Sequence, residues 1–337
     1  MSQQKYTNQD YKNELNVKWC PGCGDHALLN SLHRAMAEVG IAPEQTAVIS
    51  GIGCSSRLPY YMGTYGFHTI HGRGAAVATG VKVANPELSV WQISGDGDGL
   101  AIGGNHFIHA LRRNIDINIV LLNNQIYGLT KGQYSPTSPR GMVTVSSPYG
   151  TVEDPFRPAE LIFGARGNFF ARCVDVDIAS SVEVLTASAK HNGASVVEVL
   201  QNCVIFNKGS QSHVATRADR AKNAIYLEHG KPMIFGENNE RGIMQDGFNL
   251  KVVNLGENGI TEKDLLIHDA HCTDNTLHIK LALMEGPDFP IALGVIRDVV
   301  APTYNDCVYQ QIEEVKQKKK NRTLKELLLA GNTWEVK

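Results

Sequence analysis

The chain has 337 residues, 42% of them hydrophobic and 20% charged, with a formal net charge of -2 and a pI of about 6.6. That is enough apolar material for one large or two modest cores, and the near-neutral balance gives no electrostatic case for nucleic acid or an anionic membrane as partner. No apolar run reaches the roughly 18 residues of a membrane span, and the start, Met1 to Tyr6, lacks an apolar signal core, so a soluble, cytoplasmic protein is expected.

Residues 1 to 18 are polar and without periodicity, which predicts an irregular arm. Trp19-Cys20-Pro21-Gly22-Cys23-Gly24-Asp25-His26 then leads into Ala27 to Val39, where Leu28, Leu32, Ala35, Met36 and Val39 share one helical face. Asp25 is the expected N-cap and Gly40 the expected stop. Two cysteines thus sit in a tight turn opening a helix, where backbone N–H groups favour negative charge. Thr46 to Ser50 predicts a short strand that ends in Gly51-Ile52-Gly53-Cys54-Ser55-Ser56. A helix of small residues is expected within His68 to Pro86, entered through His71-Gly72-Arg73-Gly74.

The centre of the chain carries the clearest chemistry. Ser89 to Ser94 predicts a buried strand, followed by Gly95-Asp96-Gly97-Asp98, where glycines let the backbone turn and approach a ligand while Asp96 offers a hard oxygen. A second strand, Ile117 to Leu122, ends in Asn123-Asn124-Gln125-Ile126-Tyr127-Gly128. If the two strands are parallel and joined by a crossover helix, Asp96 and Asn124, 28 positions apart (124 minus 96), reach the same sheet edge. Oxygen donors of this kind suit magnesium together with phosphate oxygens, so the stretch reads as a site for a metal-bound diphosphate.

Thr130 to Pro139 is rich in Pro, Ser and Thr and is expected to be a loop at the mouth of that site. Helices are predicted over Pro158 to Ala165 and Ala179 to His191, and strands over Ala171 to Val176 and Ser195 to Leu200, the latter followed at once by Gln201-Asn202-Cys203. This alternation predicts an α/β fold with a doubly wound, mostly parallel sheet, whose ligands gather at the carboxyl ends of strands. From His213 on, buried-strand signals thin out. Residues 1–212 are therefore expected to form the site-bearing domain and residues 213–337 a C-terminal extension that caps the sheet or meets partners. Its basic run at 316–322 is expected to be a solvated helix face or turn.

Seven cysteines, an odd count, argue against a disulfide framework. Cys20 and Cys23 form one C-x2-C pair, while Cys54 and Cys203 each follow an expected strand and converge on the edge that holds Asp96. Four thiolates suit either structural zinc or an iron-sulfur cluster. With a single C-x2-C pair the zinc-ribbon pattern is incomplete, and a cluster beside an electron-rich cofactor makes chemical sense. Cys173, Cys272 and Cys307 have no such partners and are expected to be free. His106 and His109 are expected to be packing or surface residues.

Gly-Asp-Gly with Asn-Asn about thirty residues on resembles the thiamine-diphosphate motif of thiamine-dependent enzymes, which implies magnesium bound by the side chains of Asp96 and Asn124 and the backbone carbonyl of Ile126. Trp-Cys-Pro-Gly-Cys-Gly, Gly-Ile-Gly-Cys-Ser, His-Gly-Arg, Gly-Asp-Gly-Asp, Asn-Asn-x-x-Tyr-Gly-Leu-Thr-Lys-Gly-Gln and Gln-Asn-Cys-Val-x-Phe-Asn, in this order, resemble the β subunit of 2-oxoacid:ferredoxin oxidoreductases. The resemblance is specific from residue 15 to about 210. It implies a [4Fe-4S] cluster on Cys20, Cys23, Cys54 and Cys203, and a thiamine diphosphate site lined by Ile52, Gly53, Cys54, Ser55, His71, Gly95, Asp96, Gly97, Asp98, Asn124, Gly128 and Leu129.

It further implies CoA-dependent oxidative decarboxylation of a 2-oxoacid, with electrons passed through the cluster to ferredoxin, reversibly. The carboxylate that activates the cofactor is expected on an α subunit, as an αβ or (αβ)2 assembly. Pyruvate-type members tend to read Asn-Thr-Gly-Gly-Gln where this chain has Leu129-Thr130-Lys131-Gly132-Gln133. Thr130 and Lys131 are therefore expected at the substrate, with Lys131 pairing with the distal carboxylate of 2-oxoglutarate. Two other readings stand beside this one: a non-oxidative thiamine-dependent decarboxylase or synthase, and a zinc-stabilised structural subunit.

Overall fold

Runs of consecutive buried residues, rather than alternation, mark the central strands of this chain, as expected where helices cover both faces of a sheet. The computed structural model describes residues 5–318 and 323–336. In chain order the elements are α1 (Asp25–Val39), β1 (Thr46–Ser50), β2 (Tyr65–His68), α2 (Gly74–Ala84), β3 (Ser89–Gly95), α3 (Gly104–Arg113), β4 (Asn118–Asn123), α4 (Pro158–Gly164), β5 (Phe169–Val174), α5 (Ile178–Lys190) and β6 (Ser195–Leu200). There follow α6 (Arg217–Asn223), β7 (Ala224–Leu227), β8 (Ile234–Phe235), β9 (Arg241–Asp246), β10 (Asn249–Asn254), α7 (Thr276–Ala282), β11 (Ile291–Asp298), α8 (Tyr304–Lys318) and α9 (Leu324–Leu328).

Eight strands form one sheet in the order β2-β1-β3-β4-β6-β5-β11-β7. Every neighbouring pair is parallel except β11 with β5, so the fold is the doubly wound, mostly parallel α/β architecture that the alternation predicts. One apolar layer sets Leu28, Leu32 and Met36 of α1 and Val184 and Leu185 of α5 against Val120, Val197 and Ala171. The opposite layer packs α2, α3 and α4 on the other face through Ala78, Phe107, Leu111 and Ile162. Because β1, β3, β4, β5 and β6 run the same way, their carboxyl ends share one edge.

One local reading changes. Gly24, not Asp25, holds the N-cap position of α1; Asp25 is its first helical residue, and burial pushes its carboxyl up to about 7. Gly40 closes the helix in the left-handed conformation, as its position predicts. Strand β2 carries no clear sequence signal because all four of its residues are exposed on the sheet's outer edge.

Past residue 212 the chain returns to the same sheet. β11 inserts between β5 and β7, with a register shift between Val295 and Arg297. The thin strand signal there has a physical cause: Gly294 sits at φ 91° and Arg297 is buried within the strand, which breaks the apolar run. β8, β9 and β10 form a separate antiparallel sheet. Within the basic run 316–322, residues 316–318 are exposed at the end of α8, whereas residues 319–322 lie outside the described residues, as do residues 1–4 of the expected arm.

The extension also holds a pH-sensitive core. Burial pushes His268 down to about 4; its Nε2–H donates to the Val295 carbonyl at 2.9 Å, and its Nδ1 is buried without a partner. Only the neutral ring fits. The unfolded chain therefore binds the proton first, and stability falls as pH drops from about 6.5 through 4, by at most about 3 kcal/mol from this residue. Urea unfolding at pH 7 and at pH 5 should show that loss, with a shallower pH slope in His268→Gln. An unchanged slope in the variant would refute the assignment.

Candidate functional site

Asp96 follows β3 and Asn124 follows β4, two strands paired in parallel with Gly95 opposite Leu122. Their connection is a π-helical turn, Gly97–Ile102, that runs into α3. Asp96 is fully buried, and its Oδ2 accepts from Ser135 Oγ at 2.5 Å and Thr137 Oγ1 at 2.6 Å. Both hydroxyls come from the Pro/Ser/Thr-rich loop expected at the mouth of the site. Asn124 Oδ1 accepts from Ile126 N at 3.2 Å, and the Asn124 carbonyl accepts from Asn207 Nδ2 at 2.9 Å. Between them Gln125 is left-handed at φ 58°, which tightens the turn joining two of the expected metal donors.

Asp98 ties three segments together. Its Oδ1 accepts from the backbone N–H groups of Ile52, at 3.0 Å, and Gly72, at 2.7 Å, and lies 2.7 Å from His71 Nδ1; Oδ2 accepts from Ser94 Oγ at 2.8 Å. The loop after β1 and the turn before α2 are thereby fastened to the central motif. Asp98 thus acts on the site by placing other groups, with its acceptors already engaged.

The glycines work by space more than by turn. A Cβ on Gly97 would lie 2.3 Å from the Tyr127 ring, whose hydroxyl donates to the Gly97 carbonyl at 2.9 Å, and a Cβ on Gly51 would lie 2.0 Å from the Asp98 carboxylate. Neither glycine has a positive φ, so close approach, one of the two reasons expected for Gly97, is what this geometry carries at both positions.

Behind Asp96 a buried polar line crosses the sheet. Thr137 Oγ1 is also 2.9 Å from Asn123 Oδ1, Asn123 Nδ2 donates to Glu198 Oε1 at 2.8 Å, and Arg172 Nε donates to Glu198 Oε2 at 2.8 Å. Arg172 finishes on the Ala282 and Ala292 carbonyls. Sequence reasoning missed Asn123, Ser135, Thr137, Arg172 and Glu198 in this role. The one available signal was a charged pair, Arg172 and Glu198, inside runs otherwise readable as buried strands.

Cys20, Cys23, Cys54 and Cys203 line a single cavity of about 260 Å³, beside Asn124, Gly128, Leu129 and Lys131. A Cβ built on Gly128 would lie 3.4 Å from the Cys203 sulfur and 3.7 Å from that of Cys54. Trp19 Nε1–H donates to the Cys54 carbonyl at 2.7 Å, and Gln201 Nε2–H points to the Cys23 sulfur at 3.3 Å. Burial pushes the Cys54 thiol up to about 12 and that of Cys23 higher still, so a metal bound there would have to drive their deprotonation. All seven cysteines are free, and Cys173, Cys272 and Cys307 lie outside this cavity.

Among the described residues no three His, Cys, Asp or Glu side chains are grouped to hold a single metal ion. Four cysteines round one cavity form a donor set that fits an iron-sulfur cluster. The oxygens of Asp96 and Asn124, at adjacent strand ends, fit magnesium.

Ile52 and His71 reach the site through Asp98, and Ser55 is buried beside Gly95. Gly53 is left-handed, at φ 136°, with open space on its Cβ side. Thr130 is exposed, with Oγ1 2.5 Å from Gln133 Oε1. Lys131 is exposed and left-handed at φ 76° on the rim of the cysteine cavity. Arg73 precedes α2 without capping it through its side chain.

This arrangement of strand-end oxygens over a parallel sheet is that of a thiamine-diphosphate domain, and residues 51–199 match the family model for the C-terminal TPP binding domain of thiamine pyrophosphate enzymes. The 2-oxoglutarate oxidoreductase subunit KorB of Mycobacterium tuberculosis is 45% identical over 337 aligned residues, covering 99% of this chain and 89% of that one. The 2-oxoglutarate synthase subunit KorB of Methanothermobacter marburgensis is 44% identical over 202 residues, 60% of this chain and 70% of the relative. A solved 2-oxoglutarate:ferredoxin oxidoreductase from Magnetococcus marinus, with 2-oxoglutarate, coenzyme A and succinyl-CoA bound, superposes with a TM-score of 0.78 at 32% identity, covering 98% of both chains. The chain belongs to the β subunits of the 2-oxoacid:ferredoxin oxidoreductases. It is a subunit of an oxidoreductase, and the zinc-stabilised structural reading falls away.

Proposed function

We propose that this chain is the β subunit of a 2-oxoglutarate:ferredoxin oxidoreductase, which takes 2-oxoglutarate and CoA to succinyl-CoA and CO2, releasing one proton and two electrons, reversibly. The observation that carries this reading is the placing of four cysteines round one cavity that also touches Asn124, the expected metal ligand. The names of the relatives support the choice of 2-oxoglutarate.

In this reading Asp96, Asn124 and the Ile126 carbonyl hold magnesium, and Cys20, Cys23, Cys54 and Cys203 hold a [4Fe-4S] cluster. The remaining expected residues, from Ile52 to Ser55, His71, Gly95 to Asp98, Gly128 and Leu129, form the diphosphate cradle. Thiamine diphosphate when bound supplies the electron sink for decarboxylation, and the cluster supplies one-electron exits to ferredoxin. Ser135 and Thr137 orient the Asp96 carboxylate, Asp98 holds the Ile52 and His71 segments against the cradle, and Gln201 places an N–H on the Cys23 sulfur. Lys131, with Thr130 beside it, supplies a cation for the distal carboxylate of 2-oxoglutarate. The activating carboxylate comes from an α subunit in an αβ or (αβ)2 assembly, working in the cytoplasm. Residues 1–212 carry both sites, and residues 213–337 complete the sheet and meet partner subunits.

The test is anaerobic purification of the assembled complex. Roughly four irons and four sulfides per β chain are expected, lost in Cys203→Ser, with 2-oxoglutarate turned over in preference to pyruvate. A colourless protein holding stoichiometric zinc would sink the redox reading. Equal rates, or a preference for pyruvate, would sink the substrate assignment alone.

A further inference from the structure

We propose that Gln201 raises the reduction potential of the cluster through an N–H held against the Cys23 sulfur. The inference rests on the reading that the four cysteines carry a [4Fe-4S] cluster, and adds which residue tunes it. Gln201 is the first residue past β6, and its backbone N–H donates to the Asn123 carbonyl at 3.1 Å, which carries the ladder between β4 and β6 one step beyond the strand. The next residue is fastened as well, with Asn202 N–H donating to Asp175 Oδ2 at 3.0 Å. The Gln201 side chain thus departs from a point fixed by the sheet, and it is 1% exposed on the wall of the cysteine cavity.

The two ends of the amide fare differently. Nε2 lies 3.3 Å from the Cys23 sulfur and 3.3 Å from the Asn202 carbonyl, while Oε1 is buried with no partner. With Cys23 bound as a thiolate both neighbours of Nε2 are acceptors, so turning the amide over would set Oε1 against them. A buried acceptor left bare is destabilising, and it marks a side chain kept for its other end. An electron added to a cluster makes and breaks no bond; it increases the negative charge on the sulfurs, and an N–H aimed at a sulfur then stabilises the reduced state more than the oxidised one. Gln201 therefore favours reduction, which eases the passage of electrons from 2-oxoglutarate into the cluster.

The experiment is an anaerobic dithionite titration of the assembled holoenzyme followed by EPR, reading the signal that Cys203→Ser abolishes, in wild type, Gln201→Leu and Gln201→Met. Both variants keep much of the side-chain volume and lose the N–H. Each variant that keeps its iron is expected to be reduced about tenfold less favourably, a potential lower by about 59 mV for one electron. A reduction equilibrium within about twofold of wild type, or a potential above it, would overturn the tuning role and leave the cluster reading standing. Loss of iron from both variants would assign Gln201 to holding the cysteine turn and also overturn it. A wild-type complex with no iron and no such signal would overturn both readings.

Discussion

Asp98→Ala is expected to destabilise the protein by on the order of 4 kcal/mol and to cost most of its affinity for thiamine diphosphate. The carboxylate is buried and satisfies two backbone N–H groups, one histidine nitrogen and one serine hydroxyl. Its removal strands the Ile52 and Gly72 donors, and each buried unsatisfied donor costs about 1–3 kcal/mol. Asp98→Asn should fall between, because one oxygen remains while the new NH2 faces another donor. Thermal melts of the apo protein and titration with the cofactor would measure the two effects. A melting temperature within about 1 °C of wild type would show that the two segments are held by something else.

Replacing Glu198 separates fold from function. Arg172 and Glu198 are both more than nine-tenths buried, so Glu198→Ala leaves a guanidinium inside the sheet with no counter-charge, a loss of about 3–5 kcal/mol. The double variant Arg172→Met/Glu198→Met removes both charges with similar volume and is expected to recover most of that stability. It does not restore the bond to Asn123, so Thr137 and Asp96 lose their backing. Magnesium and thiamine diphosphate affinity should therefore stay depressed, by about tenfold, even where the melting temperature has returned; one lost hydrogen bond to a charged group has that magnitude. Calorimetric titration beside thermal melts would decide it. If affinity recovers together with stability, the line from Arg172 to Asp96 is only structural.

Much of the site was legible before any coordinates, and for a definite reason. Strand ends carry their own signals, in glycines and in the switch of period, and parallel strands with crossover helices must put those ends on one edge. That logic alone brings Asp96 beside Asn124 and Cys54 beside Cys203, and both pairs lie there. The zinc and cluster alternatives, by contrast, were equal in ligand type. The structure adds that the four cysteines share one cavity, and metal and sulfide analysis is what separates the two.

What depended on tertiary structure is everything carried between distant segments. The loop residues Ser135 and Thr137 reach Asp96 across 39 and 41 positions, and no local pattern announces such a contact. The pairing of Arg172 with Glu198 depends on β5 lying beside β6, and sheet order is not written in any strand's own period. β11 was hidden for a related reason: a left-handed glycine and a buried arginine interrupt its apolar run, and its pairing to β5 and β7 on either side supplies the stability that local sequence does not. The class of chemistry was thus set by residue types at strand ends, which are local. The acceptors, hydroxyls and counter-charges that hold those residues in place were set by packing, which is not.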